Sequence, residues 1–275
     1  MPFDSRHRVL TVIGFGCIVA AASASSVQSQ SSHPTSSAAD SQAQAEMSRI
    51  IAGVLSDTSA HMRMGPTRAA TAADSARGAA IVLAARAGLS QYADVKVAER
   101  DGYYRNNPSV EDQPIYHYNR LDRLQTINAA KQVAFDPTKP VSLLYKKDDR
   151  GQLRLIGAMY ATGESAAPED LDALLPISMA QWHEHVNLCY PGGALVRYAS
   201  KKVDAGTVFV SKLFFSITSA KECETAGGRF VPVELGWMAH VYMFAGSDDP
   251  NVIWGADDVG NMDVHMAHPP TNIRR

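Results

Sequence analysis

The sequence predicts an α+β fold, with N-terminal helices packed on a mainly antiparallel β-sheet core and one disulfide. Three observations predict it. Before residue 102, apolar residues recur at helical spacing; after it, aromatic and β-branched runs bounded by turn residues dominate. Helices come first and strands follow without regular strand–helix alternation, the order expected of α+β rather than α/β chains. Two cysteines, Cys189 and Cys223, remain once a leader segment is set aside. With 275 residues, 45% of them hydrophobic, the chain can bury a sizeable core.

Residues 1–24 read as a signal peptide. Arg6 and Arg8 precede an apolar run from Val9 to Val19, and Ala22-Ser23-Ala24 forms a cleavage site. That run is shorter than the ~20 apolar residues of a membrane-spanning helix, and the mature chain is expected to have no transmembrane segment. Cys17 follows Gly14-Phe15-Gly16, a poor lipobox, which makes lipoprotein processing the lesser alternative. The expected location is secreted or periplasmic. Residues 25–44 are rich in Ser, Gln and Ala and are expected to form a disordered linker. A single α+β domain is expected over 45–258, followed by a flexible His/Met-bearing tail over 259–275.

Within the domain, Met47, Ile50, Ile51, Val54 and Leu55 predict a short helix ending near Ser59, and a loop follows through His61, Met62, Met64 and Pro66. Thr71-Ala72-Ala73-Asp74 reads as an N-cap with an acid in the first turn of a long Ala-rich helix, which runs on to Ala98 and stops at Asp101-Gly102. Ile115 to Tyr118 is a strand, and Leu121 to Val133 a helix stopped by Asp136-Pro137. Val141–Lys146 and Leu153–Tyr160 form a hairpin around residues 147–151. Pro168 opens a short helix, and Trp182–Cys189 is a strand. Thr207–Ile217 also reads as a strand, Ser219–Ala226 as a short helix closed by Gly227-Gly228, and Trp237–Phe244 as the last strand.

The chemistry is concentrated in Trp182-His183-Glu184-His185-Val186-Asn187-Leu188-Cys189. On a strand, His183, His185, Asn187 and Cys189 share one face, while Trp182, Glu184, Val186 and Leu188 share the other. Two imidazoles at this spacing can share a metal ion at about 2.0–2.1 Å from each nitrogen. His117 and His240 lie in similarly apolar strands, where both ring nitrogens need partners. The predicted metal ligands are therefore His117, His183, His185 and His240, holding one divalent or copper ion, copper or zinc. Glu184 is the candidate general base, although a regular strand turns it away from the histidines and towards a salt bridge. Glu222 and Glu234 are further acids with no spacing argument. Cys189 and Cys223 are expected to pair in an oxidising compartment. Met262, His265, Met266 and His268 form a second, looser metal-binding tail suited to copper, and His61, Met62 and Met64 echo the theme.

Several classes are disfavoured. The 26 Lys and Arg against 28 Asp and Glu leave a formal net charge of −2, without the basic footprint of a nucleic-acid binder or a polybasic membrane anchor. Nucleophile-elbow, HExxH, P-loop and haem-attachment motifs are absent.

The segments TAADSARGAAIV, IYHYN, PVSLLYKKDDRGQLRLIGAMY, WHEHVNLC, CETAGGRF, GWMAHVYMFAG and VIWG, in this order, resemble a group of secreted bacterial proteins of unknown function. These proteins often carry a His/Met-bearing C-terminal tail. The likeness runs from about His61 to Gly255. It implies secretion and a single folded unit, but no reaction. The positions that match the group's histidine motifs are His117, His183, His185 and His240. The expected function is an exported metal-binding protein acting in metal storage, delivery or resistance. The alternatives are a secreted His-ligated metalloenzyme, either oxidoreductase or hydrolase, and a metal-free structural or binding domain.

Overall fold

In the computed structural model, which describes residues 38–54, 56, 59–129, 135–192 and 203–255, helices surround one wholly antiparallel sheet. All described residues fall in one unit. The signal-peptide and tail readings lie outside them, as does most of the linker.

Helix α1 (Ala38–Val54) begins ahead of the domain boundary expected at residue 45. Its Ala, Gln, Glu and Met residues are good helix formers. Ala43 and Met47 are buried with Val110 and Val203. The Gln44 amide donates to the Ser109 carbonyl at 3.1 Å and accepts from Glu111 N–H at 2.9 Å. A composition that reads as solvated is thus ordered by contacts distant in the chain.

The Thr71 cap of helix α2 (Ala72–Leu89) is present as read. Thr71 Oγ1 accepts from Asp74 N–H at 3.2 Å, and Asp74 Oδ2 accepts from Thr71 N–H at 2.8 Å, a reciprocal capping box. The run expected to continue to Ala98 is divided. A 3₁₀ turn at Ser90–Ala93 leads to Asp94, whose carboxylate caps helix α3 (Val95–Arg100) by accepting from Lys96 N–H at 3.0 Å.

Strands β1 (Met62–Met64), β2 (Tyr104–Arg105), β3 (Tyr116–Asn119), β4 (Ser142–Lys147), β5 (Leu153–Ala161), β6 (His183–Pro191) and β7 (Gly228–Val241) form a seven-stranded sheet in the order β1-β6-β7-β5-β4-β3-β2. The segment holding Met62 and Met64, expected as a loop, is an edge strand paired with β6. β7 starts well before Trp237, because Gly228–Val233 also pairs with β6. Helices α4 (Leu121–Ala129) and α5 (Pro168–Leu174) lie where the sequence places them.

The strand expected over Thr207–Ile217 is instead helix α6 (Ala205–Phe215). Its β-branched and aromatic residues favour strands, but the Asp204 carboxylate accepts from Thr207 N–H at 2.9 Å and caps a helix there. Helix α7 (Ala220–Thr225) follows, and α8 (Pro250–Ile253) closes the described chain. The disulfide is present: Cys189 of β6 and Cys223 of α7 are joined, with Cα atoms 5.6 Å apart. No helix among the described residues is long and apolar enough to cross a membrane.

The two faces of the sheet differ. One carries Tyr116, Tyr118, Leu143, Tyr145, Tyr160 and Val241 and packs on Ile81, Val82, Ala85 and Leu89 of α2. The other carries Leu144, Ile156, Met159, Met238 and Tyr242 and is covered partly by Leu124 and Ile127 of α4. The predicted histidines belong to this second face.

Candidate metal centre

Period-two alternation places the histidines. On β3, Tyr116 and Tyr118 enter the aromatic core, which turns His117 to the opposite side. On β7, Ala239 and Val241 do the same for His240. On β6, Glu184 is paired with Arg63 of β1 and is fully buried on the α2 side, leaving His183 and His185 on the other. The expected salt bridge is formed. Arg63 donates to Glu184 Oε2 through Nε at 2.7 Å and through Nη2. Burial raises the Glu184 carboxyl above its ordinary value, and the guanidinium partly opposes that. Glu184 faces away from the imidazoles and so is not positioned as their general base.

The four imidazoles, read from three separated segments, stand next to one another. Ring centroids are 5.3 Å apart for His117 and His240, 5.2 Å for His240 and His183, and 5.5 Å for His183 and His185. The Nε2 atoms of His117 and His240 are 3.4 Å apart. His183 and His240 are only 4% and 6% exposed.

Their outer nitrogens are oriented by neighbours. His183 Nδ1 lies 3.1 Å from the Gln181 carbonyl, so Nδ1 is the donor in that hydrogen bond. The buried Tyr242 hydroxyl lies 3.5 Å from His240 Nδ1.

A bulge brings β6 and β7 together at this point. His183 pairs with Met238 and His185 with Glu234, so Leu235, Gly236 and Trp237 of β7 stand opposite Glu184 alone. Leu235 and Gly236 both have positive φ, 64° and 69°. A side chain at Gly236 would meet the backbone of Thr162 and Glu164 at 2.6 and 2.5 Å, so only glycine fits. The bulge sets Glu234 opposite His185, where its carboxylate accepts from the Tyr190 hydroxyl at 2.8 Å. Burial, reinforced by Glu234, pushes the Tyr190 hydroxyl far above its ordinary value and keeps it a donor.

A cavity of about 580 Å³ opens beside the row. His117, His185 and His240 border it, with Glu234, Tyr190 and Asn119 as polar neighbours and Ile115, Leu124, Met159 and Met238 as apolar ones. The sequence offers Glu234 only as a further acid with no spacing argument to place it. Only the bulge register, which depends on Gly236, brings it beside the histidines.

Other candidates fall elsewhere. His61 is a structural staple: Nε2 lies 2.6 Å from the Phe215 carbonyl and Nδ1 3.1 Å from that of Asn187. Asn187 has a positive φ and donates to the Ala60 carbonyl at 3.3 Å, and so leaves the row. Glu222 is engaged locally in the first turn of α7, where its carboxylate accepts from the hydroxyl of the capping Ser219. Met262, His265, Met266 and His268 lie outside the described residues. Among the described residues, no three His, Cys, Asp or Glu side chains are gathered closely enough to hold a metal ion as they stand. Comparison with known protein families, curated proteins and solved structures finds no match.

Proposed function

We propose that the protein is an exported metal-binding protein that takes up one copper or zinc ion at His117, His183, His185 and His240. One observation carries the reading: four imidazoles from three strands stand ring to ring on one sheet face. The 3.4 Å between the Nε2 atoms of His117 and His240 supports it. Two nitrogens bound tetrahedrally at 2.0–2.1 Å from one ion lie about 3.3 Å apart. The Gln181 carbonyl holding His183 Nδ1 is the outer hydrogen bond that metal-bound imidazoles usually make. A small inward turn of His183 or His185 would add a third donor. Storage, delivery or resistance suits a site built of neutral ligands on a rigid sheet. The disulfide fits an oxidising compartment, and the resemblance to secreted proteins points the same way.

The cavity favours a second reading, a metalloenzyme. Space beside His117, His185 and His240 leaves room for a water or substrate at an open coordination position.

Elemental analysis of the purified chain after copper- and zinc-replete expression tests both. One ion per wild-type chain is expected, with loss in His183→Ala/His185→Ala and in His117→Ala/His240→Ala. Absence of stoichiometric metal in the wild type overturns both and leaves a metal-free domain with a His117–His240 hydrogen bond. A coordination sphere closed by protein donors supports storage, and an exchangeable water supports catalysis.

A further inference from the structure

Methionines on the histidine face bear on which metal the row takes. Residues paired across an antiparallel ladder present their side chains on the same face. Met159 of β5 is paired with His240, and Met238 of β7 with His183. Met64 of β1 pairs with His183 from its other side, and Met62 with His185. Met159 and Met238 are 3% and 2% exposed and border the same cavity as His117 and His240. β5 lies between the strand of His240 and the pair β4–β3 that ends in His117, so Met159, beside His240 in register, stands on a strand between those that carry the two imidazoles.

Resting on the metal-binding reading above, we propose that the site is selective for the cuprous ion. The Met159 thioether joins the imidazole row as a donor, beside Nε2 of His117 and Nε2 of His240. Harder or thiolate donors are scarce on this face. Cys189 and Cys223 are joined to each other, Glu184 lies on the opposite face with Arg63, and Glu234 is engaged by Tyr190. Zinc is held by thiolate, imidazole and carboxylate, whereas thioethers select cuprous copper. Two imidazoles and a thioether give a cuprous ion three donors, and an inward turn of His183 or His185 completes the sphere with a further imidazole.

The test is anaerobic titration of the full chain with Cu(I), using ascorbate as reductant and a chromogenic Cu(I) chelator as competitor, with Zn(II) in parallel. Met159→Leu is the informative variant because it nearly conserves volume. It should weaken Cu(I) binding by at least about tenfold and leave Zn(II) within about twofold. X-ray absorption of the Cu(I)-loaded wild type should show one sulfur neighbour that the variant lacks. A wild-type copper sphere without sulfur, or unchanged Cu(I) affinity in Met159→Leu, overturns the cuprous assignment while metal binding stands. Failure of the wild type to bind either ion overturns the metal reading itself.

Discussion

Glu184 sits between two histidines in the chain yet on the opposite side of the sheet, and its chemistry follows from that placement. Fully buried, its carboxyl is held above the ordinary value of 4.5 by desolvation, with Arg63 pulling the other way. The folded chain therefore keeps this proton to a higher pH than the unfolded chain does. That contribution to stability is complete below about pH 4.5 and is lost as the pH rises through the folded value. Glu184→Gln removes the slope, so its stability relative to wild type should improve from acid to neutral pH. Urea midpoints measured across that range check this, and parallel curves for the two proteins would remove Glu184 as a titrating group. Gly236 makes the complementary case for backbone. An alanine there meets a positive φ and two backbone atoms at once. Gly236→Ala should destabilise by at least about 2 kcal/mol, read as a lower urea midpoint at unchanged m-value.

At the scale of elements, the disulfide joins the end of the histidine strand to α7, with Phe214 and Ile217 packed around it. Replacing both cysteines by serine should lower stability by about 2–4 kcal/mol. Equilibrium unfolding checks this, and an unchanged midpoint would mean that packing alone holds β6 to α7. The elements legible in the sequence are those whose signals are local. The Thr71 capping box, the hairpin around residues 147–151 and the alternation of His183, Glu184 and His185 at the start of β6 all rest on neighbouring residues, whereas the positive φ at Asn187 ends that alternation. The misread elements are those decided elsewhere. Val208, Phe209, Phe214 and Phe215 favour a strand by type, and the Asp204 cap and packing beside β6 make them a helix. Met62–Met64 is too short to announce itself and becomes a strand only because β6 offers an edge. The first half of β7 is hidden by Pro232 and by the bulge at Leu235-Gly236.

Across the whole molecule, the site was legible as residue types but not as a place. Alternation says which way His117, His183, His185 and His240 point within their own strands. It does not order those strands, and the order β6-β7-β5-β4-β3 is what aligns three distant segments into one row. Such a site exists only in the folded chain, so an ion bound there is linked to folding. Free ion at about 100 times its dissociation constant should stabilise the fold by about 2.7 kcal/mol, seen as a higher unfolding midpoint in titrations with Cu(I). His117→Ala/His240→Ala should abolish this shift, because it removes two of the donors that only the assembled sheet brings together. Deleting Met262 to Arg275 should leave the shift intact, because a tail that binds the ion equally well in folded and unfolded chains stabilises neither. Loss of the shift on deleting the tail, with the histidine variant unaffected, would move the binding site from the sheet to the C-terminus.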